Sequence, residues 1–174
     1  AVNDGPVALN DTMSTAQDTA GVFNVLANDA DLDGDTLTIT AVTQGSDGAV
    51  TITNGGTRAT YTPNTGYVGG DTFSYTISDG NGGTDTASVA VTVTNVNDPP
   101  VANADSATTN EDTAVSIAVL TNDSDVDGDA LTVTSVMAPT QGTVAIVGGA
   151  TITYTPDPDS NGTDSFSYIV DDGN

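Results

Sequence analysis

The chain contains no cysteine, no histidine, no tryptophan and no lysine. Without cysteine there is no disulfide, and without cysteine and histidine there is no zinc centre of the usual nitrogen and sulfur kind. The same two absences remove the commonest general base and the commonest strong nucleophile of enzymes. The one basic side chain among 174 residues is Arg58, set against 24 acidic residues, all but Glu111 aspartate, for a formal charge of -23. A surface of that sign avoids nucleic acid and anionic membranes and attracts cations. Apolar runs such as residues 22–27 are far too short to insert into a bilayer. Aromatic residues make up only 5 % of the chain, too few to build a substrate cleft. High acidity with few aromatics is also the composition of disordered chains, but here the apolar residues are periodic.

The chain aligns with itself at a shift of 94 residues, dropping to 93 after a one-residue deletion. Val2-Asn3-Asp4-Gly5-Pro6-Val7-Ala8 answers to Val96-Asn97-Asp98-Pro99-Pro100-Val101-Ala102, Asp33-Gly34-Asp35 to Asp127-Gly128-Asp129, and Asp71, Phe73 and Tyr75 to Asp164, Phe166 and Tyr168. Asp79-Gly80-Asn81 answers to Asp172-Gly173-Asn174. Leu37-Ile39-Ala41, Phe73-Tyr75-Ile77 and Val89-Val91-Val93 alternate with polar residues, the period of a strand with one buried face. Clusters of Gly, Asn and Asp punctuate them. The pattern predicts strands in the first copy over roughly 8–13, 20–26, 36–43, 48–53, 57–62, 71–78 and 85–94. Seven short strands in so short a stretch predict an all-β Greek-key sandwich. The expected organisation is a first sandwich over residues 1–95, a proline-stiffened linker over 96–100 and a second sandwich over 101–174 lacking its last strand.

The most acidic stretches are residues 29–35, Asp-Ala-Asp-Leu-Asp-Gly-Asp, and residues 123–129, Asp-Ser-Asp-Val-Asp-Gly-Asp. Asp29, Asp31, Asp33 and Asp35, like Asp123, Asp125, Asp127 and Asp129, stand at alternate positions. A tight loop can turn such residues inward as oxygen ligands for Ca2+, which takes six to eight of them. The pattern starts like an EF-hand loop, with glycine at the sixth position. It then departs, because Thr40 and Thr134 stand where a bidentate glutamate is needed and no helices flank the loop. Mg2+ fits less well, since it retains water and needs few carboxylates. The other reading is a solvated acidic turn.

Asn95-Val96-Asn97-Asp98-Pro99-Pro100 resembles the linker of cadherin domains, Asp29-Ala30-Asp31 resembles their acidic loop, and Asp79-Gly80 resembles the acidic turn before their last strand. The whole repeat is similar to bacterial cadherin-like or VCBS-type tandem repeats of RTX adhesins. The shared features are Asn-Asp-x-Asp-x-Asp-Gly-Asp, Leu-Thr-Ile-Thr, Tyr-Thr-Pro and Asp-x-Phe-x-Tyr-x-Ile-x-Asp-Gly-Asn-Gly-Gly. The resemblance implies calcium at the junction of consecutive repeats. Asn97 and Asp98 would join Asp123, Asp125 and Asp172 there, with Asp18 and Asp71 as candidates from the first repeat. Asn3, Asp4, Asp29, Asp31 and Asp79 would form the equivalent half-site at the other end. Asp33, Asp35, Asp127 and Asp129 would complete local sites. Glu111-Asp112 stands where the family has a ligating glutamate, which makes Asp112 a candidate, whereas the first copy has Gln17-Asp18. The resemblance further implies a bacterial extracellular or cell-surface protein, exported by type I secretion and engaged in cell adhesion or biofilm.

Duplication argues against catalysis, because an active site need occur only once. Paired carboxylates also serve glycosidases, but these lie in repeated Gly-rich loops. The expected role is a calcium-rigidified spacer or adhesion repeat whose partners are neighbouring repeats of the same chain. The alternatives are a calcium-dependent module that binds polysaccharide or another copy of itself, and a strand-complemented filament subunit. The last arises because nothing in the second copy answers Gly82 to Thr94. Loss of three core valines at ~1.5–3 kcal/mol each approaches the stability of a small domain. The expectation is that residues 101–174 obtain the strand from continuation of the chain or from another chain, and are poorly folded without it.

Overall fold

Alternating apolar and threonine residues pack best on a pleated surface, and the regular elements of the described residues are strands apart from two single 3-10 turns. The structure, a computed structural model, describes residues 2–174. It divides into two compact units, one ending at Val96 and the other Asn97–Asn174.

Unit 1 holds seven strands: β1 (Asp11–Ala16), β2 (Gly21–Phe23), β3 (Thr38–Val42), β4 (Gly48–Thr53), β5 (Arg58–Pro63), β6 (Gly69–Ser78) and β7 (Thr84–Thr94). One sheet runs β1-β7-β6-β3 and the other β2-β5-β4. The chain crosses between the sheets after β1, β2, β3 and β5, which makes an immunoglobulin-like sandwich of Greek-key type. The hairpin β6–β7 is its longest ladder, pairing Gly69 with Val93 through to Ser78 with Thr84. On its inner face Phe73, Tyr75 and Ile77 meet Ala87, Val89, Val91 and Val93, all buried. β7 is bonded on both edges, antiparallel to β6 and parallel to β1.

Two expected strand limits move, for identifiable reasons. The first strand is not 8–13 but Asp11–Ala16, because its position is set by pairing with β7, from Asp11 with Val89 to Ala16 with Thr94. Residues 7–9 have other partners: Val7 bridges Ala30, and the Leu9 N–H donates to Asp29. The second strand stops at Phe23, and the chain then makes a 3-10 turn over Val25–Ala27 that delivers Val25 to the core.

Unit 2 holds β8 (Val115–Ile117), β9 (Thr132–Val136), β10 (Gly142–Val147), β11 (Thr151–Pro156) and β12 (Tyr168–Asp171), in sheets β10-β11-β8 and β12-β9. β12 is the last strand of the described residues. Residues 105–110, which correspond to β1, form no strand, and of residues 162–171, which correspond to β6, only β12 is paired. The fully buried core shrinks to Val119, Val133 and Ile152. Phe73 is 3 % exposed and Tyr75 fully buried, whereas their counterparts Phe166 and Tyr168 are only partly buried. Stretches at corresponding positions of the repeat are therefore strand where a partner exists and coil where it does not. Amide hydrogen exchange checks this directly: residues 105–110 and 162–167 are expected to exchange at least ~100-fold faster than residues 11–16 and 69–74, because unpaired backbone opens at little free-energy cost.

Candidate metal centre

Each acidic loop folds on its own second aspartate. Asp31 Oδ1 accepts the N–H groups of Asp33 (2.9 Å) and Asp35 (3.2 Å), and Asp125 Oδ1 accepts those of Asp127 (2.8 Å) and Asp129 (3.3 Å). Gly34 and Gly128 occupy the left-handed region, with φ of 79° and 80°, where a side chain is strained. The result is one group of carboxylates per unit, Asp31, Asp33 and Asp35 in the first and Asp125, Asp127 and Asp129 in the second. Within each group one carboxylate oxygen of each aspartate lies within 4.8 Å of the others.

The surroundings of the two groups also match. In unit 1 the Asp4 N–H donates to Asp33 (2.7 Å), the Asn81 amide to Asp35 (2.8 Å) and the Asn3 amide to Asp79 (2.8 Å). In unit 2 the Asp98 N–H donates to Asp127 (2.7 Å), the Asn174 amide to Asp129 (2.7 Å) and the Asn97 amide to Asp172 (2.9 Å). Asp79 is buried, and Gly83 lets it be so: a Cβ there would collide with the Asp79 carboxylate and lie 2.8 Å from the Gly5 Cα. The Asn3 amide, followed by the N–H groups of Asn81 and Gly83, holds the Asp79 carboxyl below the ordinary carboxylate range. The Asn174 N–H and then the Asn97 amide do the same for Asp172.

Not every carboxylate oxygen is satisfied. Asp31 Oδ2 and Asp125 Oδ2 are buried and have no hydrogen-bond partner. An unpaired buried charged oxygen is costly, and two carboxylates ~5 Å apart repel by ~0.8 kcal/mol in water and ~3 kcal/mol at an effective dielectric near 20. A cation relieves both. Calcium binds oxygen at 2.3–2.6 Å, so ligands of one ion are at most about 5 Å apart, which the carboxylate spacing meets. The donors are all hard oxygens. The residues present fit Ca2+, which Asp31, Asp33 and Asp35 would hold in unit 1 and Asp125, Asp127 and Asp129 in unit 2.

Of the other expected ligands, Asp29, Asp123, Asp18, Asp112 and Asp71 have partners outside the two groups. Asp29 accepts the Leu9 N–H (2.8 Å) and faces the Tyr75 hydroxyl (3.0 Å), and Asp123 accepts the Asn103 N–H (2.7 Å) and faces the Tyr168 hydroxyl (3.3 Å). Asp18 and Asp112 are left-handed turn residues whose carboxylates accept the N–H groups of Gly66 and Asp159. Asp71 is buried beneath Gly45 and accepts from the Tyr61 hydroxyl (2.8 Å) and the N–H groups of Ser46, Asp47 and Thr72. Burial pushes the Asp71 carboxyl up, but these donors outweigh it and the group lies below the ordinary range. Asp164 repeats the arrangement with Tyr154, Thr140 and Gln141 and is likewise lowered. Burial first, and then the neighbouring carboxylate, raises the Tyr61, Tyr75 and Tyr168 hydroxyls. Asn81 and Asn174 are absent from the sequence-based set, although their place at equal offsets in the two Asp-Gly-Asn turns was a usable signal.

An immunoglobulin-like sandwich carrying a carboxylate centre in each copy defines the class. The chain belongs to the bacterial Ig domain family, whose model matches residues 3–92 and again residues 97–174. Among solved structures, extracellular cadherin domains 3–6 of protocadherin gamma B2 match with a TM-score of 0.53 at 14 % identity, over 95 % of this chain and 46 % of that one. An endo-fucoidan hydrolase of glycoside hydrolase family 107 matches with a TM-score of 0.41 at 23 % identity, over 97 % of this chain. The chain spans 27 % of that hydrolase's length. The titin domains z1z2, solved with telethonin, match with a TM-score of 0.37 at 12 % identity, over 97 % of this chain and 95 % of that one. No curated protein matches the chain.

The buried carboxylates give a pH dependence of definite sign. Asp71 and Asp79 ionise at lower pH folded than unfolded, where an aspartate titrates near about 3.9. Their stabilisation is complete above that value and is lost as pH falls through the folded one. Asp11 runs the other way, since burial raises it despite the Tyr75 hydroxyl. The expected profile for Asp71 and Asp79 is flat from pH 7 to about 5, with falling stability below about 4. Asp71→Asn turns an amide toward several N–H donors and is expected to cost about 3 kcal/mol at pH 7 and to flatten the acid limb. Urea denaturation of both proteins at pH 7 and pH 3 measures both effects.

Proposed function

We propose that this chain is a pair of calcium-stabilised repeats of a bacterial extracellular or cell-surface protein, acting as a stiff spacer or adhesion segment rather than as a catalyst. The observation that carries the reading is the orphaned, buried Oδ2 of Asp31, repeated at Asp125, inside two all-oxygen carboxylate groups of the same design. A structural ion explains why the arrangement occurs twice, whereas chemistry on a substrate does not require two. The bacterial Ig domain family and the cadherin-like fold support a repeat module. No helix of the described residues is long and apolar enough to cross a membrane. The partners in this reading are neighbouring repeats. Extracellular calcium at millimolar levels suits sites of modest affinity.

An ion that binds only the folded state adds RT ln(1 + [L]/Kd), about 2.7 kcal/mol at a hundredfold excess over Kd. For a unit of this size that corresponds to a rise in Tm of about 10 °C or more. Calorimetry in calcium, in an equal concentration of magnesium, and in chelator is expected to show the rise with calcium alone. Asp31→Asn is expected to abolish the shift for unit 1, and Asp125→Asn for unit 2, while Arg58→Ala leaves both. Melting curves that superimpose in calcium and chelator are incompatible with this function.

A further inference from the structure

The carboxylate centres are only partly built from protein oxygens. Asp31 Oδ1 is taken by the N–H groups of Asp33 and Asp35, Asp33 Oδ2 by the N–H of Asp4, and Asp35 Oδ2 by the Asn81 amide. One oxygen of each aspartate is left for a cation. In unit 2 the same atoms of Asp125, Asp127 and Asp129 are taken in the same way. Ca2+ takes six to eight oxygens, so three carboxylate oxygens fill half of its positions or fewer. Each centre borders on solvent. Asp33 is exposed and Asp127 half-buried, Gly34 and Gly128 are exposed, and a Cβ on either glycine would meet no atom within 4 Å. Leu32 and Val126, each between two aspartates of its group, are 84 % and 80 % exposed.

We propose that, with calcium bound, the remaining positions at each centre take an uncharged glycan through a pair of neighbouring hydroxyls. The inference rests on the calcium reading of these centres and names the ligand they present calcium to. The physical case has three parts. The open positions call for hard oxygen donors, and two adjacent hydroxyls supply two at once in place of two waters. Charge then selects among oxygen ligands. Three carboxylates outweigh one divalent cation, so the occupied centre stays negative, and the one basic side chain, Arg58, is spent on the Thr57 carbonyl at the β4–β5 turn. A sulfated or uronic glycan, or an acidic peptide, is repelled there, whereas a neutral hydroxyl is not. Shape is the third part. A sugar ring carries an apolar C–H face beside its hydroxyls, and Leu32 and Val126 offer apolar surface next to the cation ligands. A single exposed apolar side chain is ordinary, but this one recurs at the same loop position in both units, where it serves no core.

The probes are three neutral polysaccharides, mannan, galactan and glucan, with alginate as the anionic comparator, each cast in a native gel. Migration of the 174-residue protein is read in calcium and in chelator, below both melting transitions so that folded protein is compared with folded protein. At least one neutral polymer is expected to retard the protein in calcium, with an affinity at least ~10-fold weaker in chelator, and alginate is expected to retard it in neither. Leu32→Ala combined with Val126→Ala is expected to weaken the affinity ~10-fold and to leave the calcium-dependent rise in Tm unchanged. A rise in Tm with calcium, but no retardation by any neutral polymer, overturns this inference and leaves the calcium reading standing. Absence of the rise in Tm overturns both. Equal retardation in calcium and chelator overturns the inference, because the glycan is then bound away from the centres. Retardation by alginate as strong as by the neutral polymers also overturns it, and assigns the open positions to an anionic ligand.

Discussion

A carboxylate removed from water must be compensated, and this chain has a single arginine with which to do it. The structure answers with dipoles. Backbone N–H groups and tyrosine hydroxyls surround Asp71 and Asp164, an asparagine amide and turn N–H groups surround Asp79 and Asp172, and Asp29 and Asp123 face tyrosines. Each such carboxylate fastens a loop to a strand: Asp71 holds residues 45–47 against β6, and Asp29 holds the chain before β1. The acidic residues are therefore not uniformly available to a ligand. Those left under-compensated, Asp31 and Asp125, are where a cation has a thermodynamic reason to bind.

The second dependence is on β7. It carries four of the buried core residues of unit 1 and joins β1 to β6, so the four-stranded sheet is continuous only through it. The two units of this chain act as a natural comparison. With β7 the counterpart residues form long ladders and a closed core. Unit 2 has β8 to β11 and the turn that buries Val119, whose counterparts in unit 1 are not bonded to β7, and β12, which is paired by β9, while residues 105–110 and 162–167 form no strand. Strand formation here is thus a property of pairs of segments, not of single ones.

That explains what could be read from sequence. The strands β3 to β7 were legible because period-two alternation and Gly-Asn-Asp turns are local signals, and the division into two units was legible because the acidic loops and turns recur at a fixed shift. The limits of β1 were not, because pairing with a strand about eighty residues later sets them. Among the acidic residues, Asp31, Asp33 and Asp35 were legible as a group because alternate positions of one tight loop converge. Asp29 stands two residues before Asp31 and looks the same in sequence, yet its carboxylate faces the hydroxyl of Tyr75, which only the fold brings near. Asp71 is indistinguishable from a surface ligand until Gly45 and Tyr61 are seen to enclose it. Asp18 and Asp112 hold turns in the left-handed region, a use of aspartate that competes with ligation and leaves little local trace.

The parallel ladder between β1 and β7 has a mechanical meaning. The six pairs from Asp11 with Val89 to Ala16 with Thr94 join the strand by which the chain enters unit 1 to the strand by which it leaves. Tension applied at the two ends pulls these neighbouring strands in opposite directions along their own axes. All six pairs then bear the load in shear together, whereas an antiparallel hairpin pulled from its open end parts one pair at a time. A sandwich loaded through its two ends is well served by that geometry. It needs the closing strand in place, because without it the entering strand has nothing to grip.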